Sequence, residues 1–197
     1  GLVGSEMCIR DRDMGEPPGY HLQGLINLYT QGQYQKAFNQ AYQLQKQFPN
    51  SINLHNIIGA ANKGLGKLEE AVEAYTKALS LKPDNAEVYY NMGYALQDQG
   101  KLEQAMESYN KALLFNPNNP ETYTNMGVIL KEQGKLEEAI QAYTKALSIE
   151  PDFAEVYNNL GTVLKDQGKL DDAIAAYTKA VSIKPDYVNA HNNMGIA

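Results

Sequence analysis

Apolar residues along this chain recur every three or four positions in short runs, and glycine or proline cuts each run. In the stretch from Ala154, the residues Val156, Tyr157, Leu160, Gly161 and Leu164 fall on one face of a helix. Leu170, Ala173, Ile174, Tyr177, Ala180 and Val181 make a second apolar stripe. Gly168 lies between them and supplies the left-handed backbone that often ends a helix, while Pro185 closes the second run. The spacing therefore predicts two helices joined by a tight turn. Asp152 and Glu155 read as a capping box ahead of the first helix, as Asp84 and Glu87 do earlier. On the polar side Glu73/Lys77 and Glu107/Lys111 sit four apart, where such a pair contributes about 0.2–0.5 kcal/mol.

The pattern repeats. AEVYNNLGTVLKDQGKLDDAIAAYTKAVSIKPDY at 154–187 matches PETYTNMGVILKEQGKLEEAIQAYTKALSIEPDF at 120–153, a step of 34 residues. Further steps reach 86–119 and 52–85, the last with a drifted first half. A degenerate unit at 18–51 precedes these, and a truncated one at 188–197 follows. A period of this length marks a helical repeat array. Two such short helices cannot bury both stripes alone, so the pairs must stack on their neighbours. The expected fold is all-α, a solenoid of antiparallel helix pairs.

The ends differ from the middle. Residues 1–12, GLVGSEMCIRDR, carry no helical pattern, and they resemble the adapter-derived translations that contaminate assembled environmental sequences. Residues 1–17 are accordingly expected to be a disordered leader foreign to the array, with no role for Cys8. The unit at 18–51 reverses the Leu-Gly order at Gly24 and Leu25 and places Ala41 where Tyr75 stands later, as a terminal cap would. At the other end a first helix begins at Val188 and runs out at Ala197, so the chain is expected to be a fragment of something longer.

Set in register, the units form columns. Gly59, Gly93, Gly127, Gly161 and Gly195 make one, and Ala37, Ala71, Ala105, Ala139 and Ala173 another; small residues there let helices approach closely. Tyr75, Tyr109, Tyr143 and Tyr177 lie on the buried stripe and are expected to fill the gap between units. All the histidines fall in one column with tyrosines: His21, His55, Tyr89, Tyr123, Tyr157 and His191. Spread along a stack, they do not converge as ligands or catalytic groups must, so the column is a packing position that accepts flat rings. Glu137 and Glu138 lie near a helix start and complement its dipole. With no Ser-His-Asp set, Cys-x-x-Cys pair or phosphate-binding glycine loop, no catalytic residue, cofactor or metal is assigned, and the chain is not expected to be an enzyme.

Asn91, Asn125, Asn159 and Asn193 recur at the same spacing on successive first helices. Asn is a mediocre helix former, so propensity does not select it. Its carboxamide has an acceptor and a donor group that match a peptide bond. Two readings stand open: a row of amides that grips an extended peptide, or a packing device that bonds neighbouring helices.

Charge and composition narrow the partners. The 197 residues carry a formal net charge of -6, and no run of Lys and Arg forms a basic stripe, so nucleic acid is not an expected partner. The lone cysteine forms no internal disulfide, which fits a reducing, cytoplasmic setting. No apolar stretch approaches membrane-spanning length, and the start lacks the apolar core of a secretory signal.

Tyr157, Leu160-Gly161, Leu164, Ala173, Tyr177, Ala180 and Pro185 resemble the tetratricopeptide (TPR) pattern, with Tyr157 in place of its Trp and Leu164 in place of its second Tyr. The resemblance implies a right-handed superhelix with first helices lining a concave groove, and a protein–protein interaction module that binds a partner protein or extended peptide there. The carboxylate clamp of some TPR domains could be matched at its central Asn but not at its cations. The clamp columns hold Tyr90, Thr124 and Asn158, then Tyr94, Val128 and Thr162, then Glu87, Glu121 and Glu155, without its cations. The Asn91, Asn125, Asn159 and Asn193 column is similar to the asparagine ladder in the TPR arm of O-linked N-acetylglucosamine transferases. That likeness implies an alternative role, the substrate-recruiting arm of a truncated glycosyltransferase or sulfotransferase.

Overall fold

The structure, a computed structural model, describes residues 15–196, with side chains through residue 195. Residues 1–14 of the leader expected over 1–17, Cys8 among them, lie outside the described residues. The described part is helical with no strand, and it falls into two compact units divided after Phe115.

The first unit holds three helix pairs: α1 (Gly19–Thr30) with α2 (Tyr34–Gln45), α3 (Ile52–Gly64) with α4 (Leu68–Leu81), and α5 (Ala86–Asp98) with α6 (Leu102–Phe115). The second holds α7 (Pro120–Glu132) with α8 (Leu136–Ile149), α9 (Ala154–Asp166) with α10 (Leu170–Ile183), and α11 (Val188–Ile196). Odd-numbered helices are the first helices of their pairs. In each unit every second helix that is followed by a first helix packs against it, which makes a solenoid.

Each first helix but α11 ends as its sequence predicts. Gly168 adopts φ +77°, its N–H bonds Lys165 O at 2.8 Å, and Lys169 N–H bonds Leu164 O at 2.9 Å. The paired bonds satisfy carbonyls that the helix end would otherwise orphan. The second helices α4, α8 and α10 begin without a side-chain cap but carry acids in the first turn, Glu69 and Glu70 in α4, Glu137 and Glu138 in α8 and Asp171 and Asp172 in α10, whereas α2 has neither. These complement the helix dipole.

The capping boxes expected at Asp84/Glu87 and Asp152/Glu155 are not formed. Pro83 and Asp84 make the turn, and Asn85 takes the cap position, its side chain accepting from Val88 N–H at 3.1 Å. Asn119 does the same for Thr122 N–H at 2.6 Å, whereas Phe153 caps α9 with no side-chain bond. The turn after the proline runs one residue longer than expected, so the cap falls one residue later.

The core follows the columns. Ala71, Ala105, Ala139 and Ala173 are fully buried, and Tyr75, Tyr109, Tyr143 and Tyr177 are at most 1% exposed. Tyr75 joins Ala71, Ala78, Val88 and Ala95 in one cluster that binds α4 to α5, as a residue filling the gap between units should. It also packs on Gly59 of its own pair, where an added Cβ would lie 2.5 Å from the ring. The stripe of α10 is narrower than predicted. Leu170 and Ile174 remain 45% and 39% exposed, because Ala173, Ala176, Tyr177 and Ala180 form the buried line beside them. Of the expected surface pairs, Lys111 meets Glu107 at 2.8 Å.

One boundary moves. Pro17 is buried and Glu16 half-buried, although both were expected in the leader. Glu16 Oε1 accepts from the N–H groups of Ile52 and Asn53 at 2.8 and 3.3 Å, and Ser51 Oγ–H donates to Oε2. The carboxylate sits on the orphan donors at the start of α3, where the helix dipole favours it.

Candidate functional site

Within each unit consecutive first helices touch, α1 with α3 and α3 with α5 in one, α7 with α9 and α9 with α11 in the other. Among the described residues the second helices of a unit do not touch one another. First helices thus form the crowded inner side of each unit, and the asparagine column lies on them.

In the first unit Asn91 Nδ2 donates to Asn56 Oδ1 at 2.9 Å, and Asn56 Nδ2 donates to Glu87 Oε1 at 2.8 Å. In the second, Asn193 Nδ2 donates to Asn158 Oδ1 at 2.9 Å. Both amides reach the preceding first helix, to the column one position earlier, so packing between first helices accounts for part of what they do. A carboxamide carries more donor and acceptor capacity than one bond uses. Asn91 Oδ1 has no partner among the described residues. Asn125 on α7 is half-buried.

Asn159 differs. Its Oδ1 receives a long 3.5 Å contact from Asn158 Nδ2, and its own Nδ2 has no acceptor among the described residues. It lines an open pocket of about 330 Å³ between α7 and α9, with Val128, Lys131, Glu132, Tyr143 and Thr162. Lys131 reaches across to Asp166 at 3.9 Å. The Tyr143 ring is buried against Gly127, but its hydroxyl has no hydrogen bond among the described residues. Two of its counterparts are partnered, Tyr109 Oη–H donating to Gln97 Oε1 at 2.9 Å and Tyr177 Oη–H to Thr162 Oγ1 at 3.4 Å, whereas the Tyr75 hydroxyl, like that of Tyr143, has no hydrogen bond among the described residues. On α7 the corresponding positions hold Lys131 and Val128, which offer no acceptor. Burial, with Glu132 and Glu155 nearby, pushes the Tyr143 phenol well above its ordinary pKa, so it stays protonated.

The first unit shows a related arrangement. Lys63 Nζ lies over the Tyr94 ring at 3.7 Å, and burial lowers its pKa while Asp98 opposes the shift. Lys63, Gln97, Lys131 and Lys165 form one column and Asp98, Glu132 and Asp166 another, each at the repeat spacing. That spacing was the signal for the pocket, and the sequence reading passed over it.

The histidines do not converge. His55 is buried; Gln45 Nε2–H donates to its Nδ1 at 3.0 Å, and its Nε2–H donates to Pro49 O at 3.1 Å. His191 Nε2 lies 2.8 Å from Pro185 O. The two rings clip first helices to equivalent turns, as packing positions do.

The sequence profile described as TPR repeat matches residues 63–100, 93–134, 127–168 and 161–197. Among solved structures, one described as the crystal structure of MamA is similar at 25% identity, covering 81% of this chain and 93% of that one, with a TM-score of 0.73. YrrB, described as a TPR protein with an unusual peptide-binding site, is similar at 19% identity over 96% of each chain, with a TM-score of 0.70. TTC0263, described as a thermophilic TPR protein in Thermus thermophilus, is similar at 22% identity, covering 90% of this chain and 96% of that one, with a TM-score of 0.71. The comparison with curated proteins returns no match. These relatives lend no support to the transferase-arm alternative.

Proposed function

The chain belongs to the TPR repeat family, and from that premise we propose that it is a protein-interaction module whose first helices receive an extended segment of a partner protein. The peptide-binding site named for YrrB is that protein's own, and at 19% identity the likeness carries the fold and no more. The observation that carries the proposal is Asn159. A half-buried amide N–H without an acceptor, facing an open pocket on the inner side of the helices, matches the carbonyl of an extended backbone.

In this reading Asn159 works with Asn125 and Asn193 on the second unit, and Asn91 plays the same part on the first. Each neutral bond nets only about 0.5–1.5 kcal/mol, so affinity comes from several bonds in a row and tolerates many sequences. A cytoplasmic setting belongs to the same reading. No helix among the described residues is long and apolar enough to cross a membrane.

The test selects a peptide ligand from a library and measures its binding, together with thermal unfolding, for Asn→Ala variants at 91, 125, 159 and 193. Asn159→Ala separates the two readings best, because it breaks only one long contact. It should weaken peptide binding several-fold and leave Tm nearly unchanged. Asn91→Ala and Asn193→Ala should lose binding and some stability together. If Asn159→Ala lowers Tm and leaves affinity intact, the column is a packing device and the proposal fails.

A further inference from the structure

The pocket beside Asn159 has charge as well as shape. Glu132 stands on its rim, Glu155 lies within electrostatic reach of the Tyr143 hydroxyl, and Asp166 faces Lys131 from the neighbouring helix. The Lys131 ammonium on the lining is opposed by Asp166, which leaves the Glu132 carboxylate without a cation of its own at the pocket and Glu155 close enough to act on the phenol. The acids alone would mean little on an exposed helix face. Tyr143 supplies the independent observation. Its side chain is 1% exposed, and its unpartnered hydroxyl opens on the pocket. The ring is locked in the core while the hydroxyl reaches the pocket, so solvent or a guest there must supply its hydrogen bonds.

We propose that this pocket receives the basic side chain, arginine or lysine, of the partner segment that lies along α7 and α9. The inference rests on the peptide-binding reading above and adds the chemical class of the bound side chain. The aliphatic stem would run along Val128. The cationic head would donate to Tyr143 Oη, to Asn159 Oδ1 and to the Glu132 carboxylate. A guanidinium carries five donors and no acceptor, which suits the acceptors that the Tyr143 hydroxyl, Asn159 Oδ1 and Glu132 offer there. An acidic side chain would instead meet the Glu132 carboxylate on the lining. Asn159 Nδ2 stays free for the backbone of the same segment, so one amide serves both backbone and side chain.

The experiment uses the full chain and three fluorescein-labelled Ser-Ala peptides that differ at alternate positions by arginine, citrulline or glutamate. Citrulline keeps the shape of arginine without its charge. Fluorescence anisotropy at low salt should rank arginine about ten-fold tighter than citrulline, with glutamate weakest, and added salt should narrow the gap. Glu132→Gln and Tyr143→Phe should each cut arginine-peptide binding several-fold. Tyr143→Phe keeps the ring on Gly127, and Glu132 is exposed, so thermal unfolding should show both variants folded. Glu138→Gln, on the second helix α8, should leave binding unchanged. An equal loss at Glu138 overturns the pocket in favour of diffuse attraction to an acidic protein. Equal binding of arginine and citrulline peptides, both weakened by Asn159→Ala, overturns the basic side chain and keeps the groove. Failure of all three peptides to bind overturns both.

Discussion

Gly161 lies so close to Tyr177 that a Cβ built on it would stand 2.7 Å from the ring. The same contact recurs between Gly127 and Tyr143 at 2.6 Å, and between Gly93 and Tyr109 at 2.7 Å. A column of glycines and a column of tyrosines are therefore one device: the ring fills the space that the missing side chain leaves.

That contact reverses the usual effect of glycine in a helix. Gly→Ala in a helix interior ordinarily gains about 0.5–1 kcal/mol. Gly24 in α1 has nothing within 4 Å of an added Cβ, so Gly24→Ala should stabilise by about that amount. Gly161→Ala drives a methyl into a ring with no room to retreat, and overpacking of this kind costs about 1–3 kcal/mol. Urea unfolding of the two variants should shift the midpoints in opposite directions. Equal shifts would mean that the ring moves aside freely.

The glycine, alanine and tyrosine columns were legible because a fixed period reports the same environment several times over. Single contacts were less so. The caps at Asn85 and Asn119 were missed because the post-proline turn takes one more residue than the acidic signal implies. The pocket at Tyr143 depends in part on a difference between neighbouring units, Val128 where Thr162 stands in the next. Attention to what repeats hides what does not. The asparagine column was legible as a row of amides. Its bonds to Asn56 and Asn158 were not, since sequence spacing does not say which way a carboxamide turns.

Glu16 was illegible for a different reason. It lies outside the period and bonds backbone 36 residues away, so nothing local marks it. It nonetheless satisfies donors at the start of α3 and shares Ser51 with the helix's own cap, Ser51 Oγ accepting from Leu54 N–H at 3.0 Å. Glu16→Ala should cost about 0.5–2 kcal/mol, the range for losing a helix cap. Ser51→Ala should cost a similar amount, and the double variant less than the sum, because the two residues share a bond. Thermal unfolding of the four proteins measures the coupling. Strict additivity would mean that the Glu16 contact contributes nothing through Ser51.

His55 should make the first unit sensitive to mild acid. Burial lowers its pKa below the ordinary value, the bond to Pro49 O opposes that shift, Lys77 reinforces it and Glu16 opposes it. A lowered pKa in the fold means that the folded state prefers the neutral ring. Above the unfolded value of about 6.5 both states are neutral and the contribution is complete. As pH falls below 6.5 the unfolded chain takes up a proton first, and stability is lost progressively until the folded pKa is passed. Carboxylates also titrate in acid, so the comparison must be with a variant that lacks the imidazole. Tyrosine already fills this column at Tyr89, Tyr123 and Tyr157, which makes His55→Tyr the natural reference. The difference in Tm between the native chain and His55→Tyr should be constant from neutral to mildly alkaline pH and should move against the native chain as pH falls from about 6.5. A difference that stays flat across that window would show that the ring titrates alike in both states, and that its burial against Gln45 and Pro49 imposes no preference on its charge.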